Sequence, residues 1–186
     1  MIGTLEKSDL ILLLLYSRGM KGQSSESIQG ITRLMKLLFL LDREEGINDK
    51  FSFAPYKMGP FSSEVYPELE FLRNFPDPEH PLVKGIAKRT GQSTEISPEQ
   101  IKYIDDIQFE EIPPDNSEVD VEFKLTDIGE AVAKELWGEL DSKSRNSIEA
   151  IKVRYGNWPL RQLLKYVYEN YPDMTVNSEI KHQVLK

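Results

Sequence analysis

Histidine, cysteine and clustered acids most often carry nucleophilic, acid–base or metal chemistry, and of these the chain is rich only in acids. It has no cysteine, and its two histidines are His80 and His182. That set is too small for a zinc site built on thiolates and imidazoles, and it excludes a thiol nucleophile. His80 lies between Glu79 and Pro81 and reads as an exposed loop residue; His182 reads as a mobile surface residue. The pairs Asp105-Asp106 and Glu110-Glu111 have the oxygens a hard cation needs, but adjacent side chains on a helix or strand point apart, so they read as solvated. Gly19-Met-Lys-Gly22-Gln-Ser-Ser lacks the glycine spacing and the Gly-Lys-Ser/Thr end of a phosphate-binding loop. No Gly-x-Ser-x-Gly elbow is present. The chain is therefore expected to be a non-enzyme that needs no metal or cofactor.

The most distinctive local motif is Gly59-Pro-Phe-Ser-Ser63, flanked by Tyr56, Lys57 and Tyr66. Gly59-Pro60 predicts a turn, and Ser62 or Ser63 predicts a helix cap. Free amides at such a helix start, with the serines, suit an acidic group or a phosphate on a partner. Tyr56, Lys57, Gly59, Pro60, Ser62, Ser63 and Tyr66 are thus the candidate partner-binding residues, with plain capping as the alternative and a core role favoured for Phe61. Lys84, Lys88 and Arg89 are the candidate nucleic-acid contacts, because phosphate binding draws on lysine and arginine.

Hydrophobic spacing predicts the elements that position these residues. Leu10 to Leu15 is leucine-rich and reads as a buried helix from Ser8 or Asp9 to Ser17, capped by Ser8 and ended by Gly19 in a left-handed turn. Gly22 to Ser27 reads as a loop. A second helix is expected over Ile28 to Glu45, with Ile31, Leu34, Met35, Leu38 and Leu41 on one stripe and Leu37, Phe39 and Leu40 widening it. A helix apolar on most sides is buried on most sides, so this is the expected core centre. Arg33, Lys36 and Arg43 are left as its narrow exposed edge, and Gly46 ends it.

Phe51 to Tyr56 reads as a short strand, with Pro55 placing it at an edge. Phe61, Val65, Leu69 and Leu72 predict a third helix over 61–73, in which Pro67 is tolerable only near the start. Strands are expected near 82–90 and 119–125, and a short helix from Ser97 to about Ile107. Thr126 predicts the cap of a helix buried through Ile128, Ala131, Val132 and Leu136. Further helices follow over 143–155 and 159–170.

The formal charge of −8 is unevenly spread over the 186 residues. Residues 76–120 hold four basic and eleven acidic residues, giving −7; the flanking segments are close to neutral. The bland reading is a solvated face or loop. The sharper one is a surface that turns away polyanions or docks a basic partner. The Leu10–Leu15 run is too short for a secretory signal core, and no stretch approaches the eighteen apolar residues of a membrane span. The expected compartment is the cytoplasm.

Val121-Glu-Phe-Lys-Leu-Thr-Asp-Ile-Gly-Glu-Ala-Val132 resembles the strand-to-helix junction of winged-helix proteins. There an aromatic and a leucine are buried, a threonine caps the helix, and a glycine permits close packing. A fuller resemblance covers about residues 5–75 and 119–180. Ile31-Thr-Arg-Leu-Met-Lys-Leu-Leu-Phe-Leu-Leu-Asp-Arg43, followed by Phe53-Ala-Pro-Tyr-Lys-Met-Gly-Pro-Phe-Ser-Ser-Glu-Val-Tyr-Pro-Glu-Leu69, is similar to the Panacea (SocA-like antitoxin) domain family. The resemblance implies a non-enzymatic helical domain, often one that neutralises or adapts a toxin or protease target.

The expected fold is therefore mainly α with a small β-wing: a winged-helix-like domain over 1–140 with an acidic insert near 76–118, and a C-terminal helical extension over 141–186 packed on it. The expected role is regulatory or adaptor-like binding of a protein partner, with self-association compatible. A winged-helix DNA-binding regulator is the alternative. Against it, the third helix offers glutamates and only Arg73 as a cation on its outward side.

Overall fold

The computed structural model describes residues 5–46, 50–74 and 122–186. The chain is mainly α with a small β part, the class that its patterning predicts. Helix α1 spans Lys7–Tyr16, and every residue from Leu10 to Leu15 is buried. Its cap is Glu6 rather than Ser8: the Glu6 amide donates to Asp9 Oδ2 at 2.9 Å, completing a reciprocal capping box, while Ser8 is buried. The helix ends in an extended Ser17, and positive φ appears at Gly22 and Ser25, not at Gly19.

The second helix begins later than its hydrophobic pattern predicts. Gly30, at φ 82° and ψ 142°, lies outside helical geometry, so α2 spans Ile31–Glu45. Ile28–Gln29 instead forms strand β1. Apolar periodicity cannot distinguish a buried two-residue strand from the first turn of a helix. Along α2 every residue from Arg33 to Leu41 is buried, and Gly46 closes the helix in a left-handed conformation as expected. Leu34, Leu37, Phe39 and Leu40 are fully enclosed; each contributes roughly 1.5–3 kcal/mol by burial.

Strands β2 (Ala54–Tyr56) and β3 (Gly59–Phe61) form an antiparallel hairpin, pairing Ala54 with Phe61, Pro55 with Pro60 and Tyr56 with Gly59. Gly59-Pro60 is thus strand, and the turn is Lys57-Met58. Helix α3 spans Val65–Asn74. Pro67 sits in its first turn, where no intrahelical partner for its missing amide is needed. Strand β4 (Glu122–Phe123) lies within the expected 119–125 strand, but it pairs with β1. The proposed wing partner at 82–90, the 97–107 helix and His80 lie outside the described residues, as do Asp105-Asp106, Glu110-Glu111, Lys84, Lys88 and Arg89.

Thr126 caps helix α4 (Asp127–Glu139), its Oγ1 accepting from the Gly129 amide at 3.1 Å. Helices α5 (Ser142–Tyr155) and α6 (Leu160–Asn170) follow, then a 3-10 turn over Pro172–Thr175 and a short α7 (Lys181–Val184). One hydrophobic core joins α1, α2, α3, α5 and α6 with Met174 and Val184. A smaller cluster of Leu12, Ile128, Val132 and Ala133 fastens α4 to α1. Among the described residues no helix is long and apolar enough to cross a membrane.

Candidate functional site

The hairpin and the start of α3 bring together most of the predicted partner-binding residues, but they divide them into two layers. The outer layer is aromatic. Tyr56, 37% exposed, packs on Phe61 with ring centres 4.8 Å apart, and Phe61 packs on Tyr66 at 5.9 Å. Phe61 and Tyr66 are half-buried. Burial, with a smaller effect of Tyr56, pushes the Tyr66 hydroxyl above its ordinary value and keeps it protonated. Ser63 is exposed beside this row.

The inner layer is structural. Ser62 is 1% exposed, and its Oγ accepts from the Glu64 amide at 3.3 Å, so it is a turn-forming group rather than a surface receptor. Pro60 is buried, and its carbonyl accepts from Lys36 Nζ at 2.8 Å. Lys57 is drawn sideways: its Nζ lies 3.1 Å from Glu179, and its carbonyl accepts from the Glu179 amide at 2.9 Å. Asn177 Nδ2 donates to the Pro55 carbonyl at 3.2 Å. The segment after the 3-10 turn therefore straps the outer edge of β2, and the Tyr168 hydroxyl fastens the strap through Ser178 Oγ at 2.7 Å.

Gly59 is the tightest point. It has φ +83°, and a Cβ there would lie 3.0 Å from Tyr168 Cε2. Gly46, at φ +63°, faces open space. The two positions separate backbone strain from contact. Gly46→Ala is expected to cost about 1 kcal/mol from conformation alone, and Gly59→Ala about 2–3 kcal/mol because Tyr168 must also give way. Urea unfolding of the two variants measures the difference; equal losses would mean that the Tyr168 contact carries nothing.

Three cations expected at the surface or left unremarked by the sequence turn out to be buried. Arg33 donates to the carbonyls of Gln29 at 3.1 Å, Gly156 at 3.2 Å and Trp158. Lys36 is 2% exposed, and Lys152, also 2% exposed, donates to the carbonyls of Leu15 at 2.6 Å and Ser17 at 2.9 Å. Burial lowers the Lys152 ammonium to about 8, partly opposed by Glu26. Of the predicted exposed edge of α2, only Arg43 stays at the surface, over the face of Phe39. The signal for Lys36 was present in the sequence. Lys36 stands between Met35 and Leu37 in the stretch Leu34–Leu41, whose other residues are all apolar, so little outward surface is left for it.

Glu44 is a further group that sequence spacing did not mark. Its carboxylate accepts from the Tyr155 hydroxyl at 2.9 Å, the Tyr166 hydroxyl at 2.8 Å and Arg154 at 3.1 Å, with the Tyr171 hydroxyl at 3.5 Å. Its side chain is 14% exposed. Burial first, and the neighbouring carboxylate next, push the Tyr171 hydroxyl up to about 12. These hydroxyls stay protonated and donate throughout the neutral range.

Among the described residues no three acidic or histidine side chains converge as a metal-binding group. No protein-family model matches the chain, and no curated protein and no solved structure matches it.

Proposed function

We propose that this protein is a non-enzymatic, antitoxin- or adaptor-like interaction module that grips a protein partner with the face formed by the hairpin and the first turn of α3. The observation that carries the reading is the row Tyr56–Phe61–Tyr66 on a firmly backed hairpin. Aromatic side chains offer large contact area at small cost in side-chain freedom, and they dominate binding where their position is fixed beforehand. Here Lys36, Tyr168 and the C-terminal strap fix it from behind. Ser63 adds an exposed hydroxyl at the edge. Among the described side chains of α3, the exposed ones are Pro67, Glu70, Phe71 and Arg73. One cation among an acid and two apolar groups suits a protein surface better than a phosphate backbone.

The test is affinity capture from the native host with wild type and two variants, Tyr56→Ala and Ser63→Arg. The expected result is one stoichiometric protein partner whose capture falls about tenfold with either variant, while melting temperature stays within 2 °C or so of wild type. Capture of nucleic acid that falls steeply with salt would replace this reading by the DNA-binding one. Equal capture of the partner by all three proteins would move the contact surface elsewhere.

A further inference from the structure

Lys36 ties the centre of the core to the candidate site. Its stem lies among the buried residues of α2, and its Nζ reaches the Pro60 carbonyl at 2.8 Å. An ammonium has three hydrogens to donate, while a neutral amine is satisfied by fewer donated bonds. The acceptor that Lys36 meets among the described residues is the carbonyl of Pro60. Among the described residues, charged and titratable groups on the surrounding elements are engaged elsewhere: on α5, Lys152 donates to the carbonyls of Leu15 and Ser17, and the Tyr155 hydroxyl donates to Glu44. Arg33, one turn earlier on α2, is spent on the carbonyls of Gln29, Gly156 and Trp158. On the hairpin, Lys57 pairs with Glu179. Beyond β3, Glu64 pairs with Lys7 at 3.0 Å and accepts from the Ser52 amide. On α6, the Tyr168 hydroxyl meets Ser178. A charge at Lys36 is therefore compensated by one carbonyl dipole and no carboxylate among these groups, which is costly in a dry interior.

We propose that Lys36 is a proton-operated latch on the β2–β3 hairpin: as a neutral amine it holds the Pro60 carbonyl in the core, and as an ammonium it favours lifting of the hairpin so that the charge reaches water. Burial draws its ionisation down to about 7 from an ordinary value of 10.5. The closed state thus binds the proton more weakly than the opened one. Lowering the pH from the alkaline range towards about 7 drives opening, and below about 7 both states are protonated and the dependence stops. The hairpin carries Tyr56, so the consequence for binding rests on the interaction reading above. The latch itself is tested without a partner.

The experiment is amide hydrogen exchange on the full chain between pH 6 and 9, corrected for the intrinsic base dependence and read at residues 54–61 and 37–41. Hairpin amides are expected to open at least tenfold more often than those of α2. Their opening constant should rise about tenfold per pH unit as pH falls from 9 to about 7.5, then level off. Lys36→Met, which keeps the stem and removes the amine, should abolish that slope. Should this variant fail to fold, the carbon resonance next to the Lys36 amine in the wild-type chain decides. A midpoint near 7 supports the latch, and one above 10 overturns it. Hairpin amides that exchange only together with α2, or a slope that survives in Lys36→Met, also overturn it. Loss of partner capture with the slope intact would instead count against the interaction reading alone.

Discussion

Glu44→Ala should lower stability by about 2–4 kcal/mol, because the carboxylate it removes is the common acceptor of several donors. Tyr155 and Tyr166 each donate to it at 2.8–2.9 Å, and Arg154 completes the set. Tyr155 itself is 1% exposed, so its hydroxyl has little recourse to water once the acceptor is gone. The network also joins three elements: Glu44 stands near the end of α2, Tyr155 ends α5, and Tyr166 lies on α6. Its loss therefore loosens an interhelical joint and not a surface ion pair. For a chain of this length the melting temperature should fall by roughly 5–15 °C. Glu44→Gln, which retains one acceptor oxygen, should recover about half of the loss. A fall within 2 °C or so for Glu44→Ala would show that the tyrosines find other acceptors and that the cluster holds nothing together.

Phe39→Ala should cost more, about 3–5 kcal/mol, through lost burial and the cavity left behind. Phe39 is fully buried and meets Phe53 and Tyr171 edge-to-face, with ring centres 5.4 and 5.0 Å away. It is the point at which α2 holds both the segment leading into the hairpin and Tyr171, the residue that closes α6. The loss should therefore be visible in two ways. Denaturant midpoint should drop, and protection of the hairpin amides should drop with it. A variant that loses global stability while the hairpin keeps its protection relative to α2 would mean that the two regions are held independently.

Much of the helical framework was legible because its causes are local. Leucine spacing marked α1, α2 and α6, Thr126 marked the start of α4, and Gly46 marked the end of α2. Local pattern is silent where a distant partner decides. Ile28 is a strand residue because Phe123, far along the chain, offers it a ladder. Gly59-Pro60 is strand because the turn falls on Lys57-Met58 and the Pro60 carbonyl is claimed by Lys36. Ser62 and Ser63 looked equivalent in sequence, yet one faces the core and the other solvent. Of the candidate site, Tyr56 and Tyr66 were marked by the sequence, whereas Phe61, expected in the core, is half-buried and joins them in one aromatic row. The conversion of Lys57 into an anchor for the strap was not, since Glu179 lies over a hundred residues away in sequence.

Arg33, Lys36 and Lys152 share one property: each spends its N–H donors on main-chain oxygens. A main-chain oxygen is present whatever amino acid is encoded there. Codons 15, 17, 29, 60 and 158 can therefore drift without removing these acceptors, provided the backbone path survives; position 156 is held by a second constraint, since a Cβ there would lie 2.5 Å from the Lys152 carbonyl oxygen. Codons 33, 36 and 152 have no such latitude. Repairing a change at one of them by a compensating change at its partner is closed off, because the partner has no side chain in the bargain to alter. Paired substitutions, the usual trace of a long-range contact, should be missing from the very contacts that fix this molecule's interior.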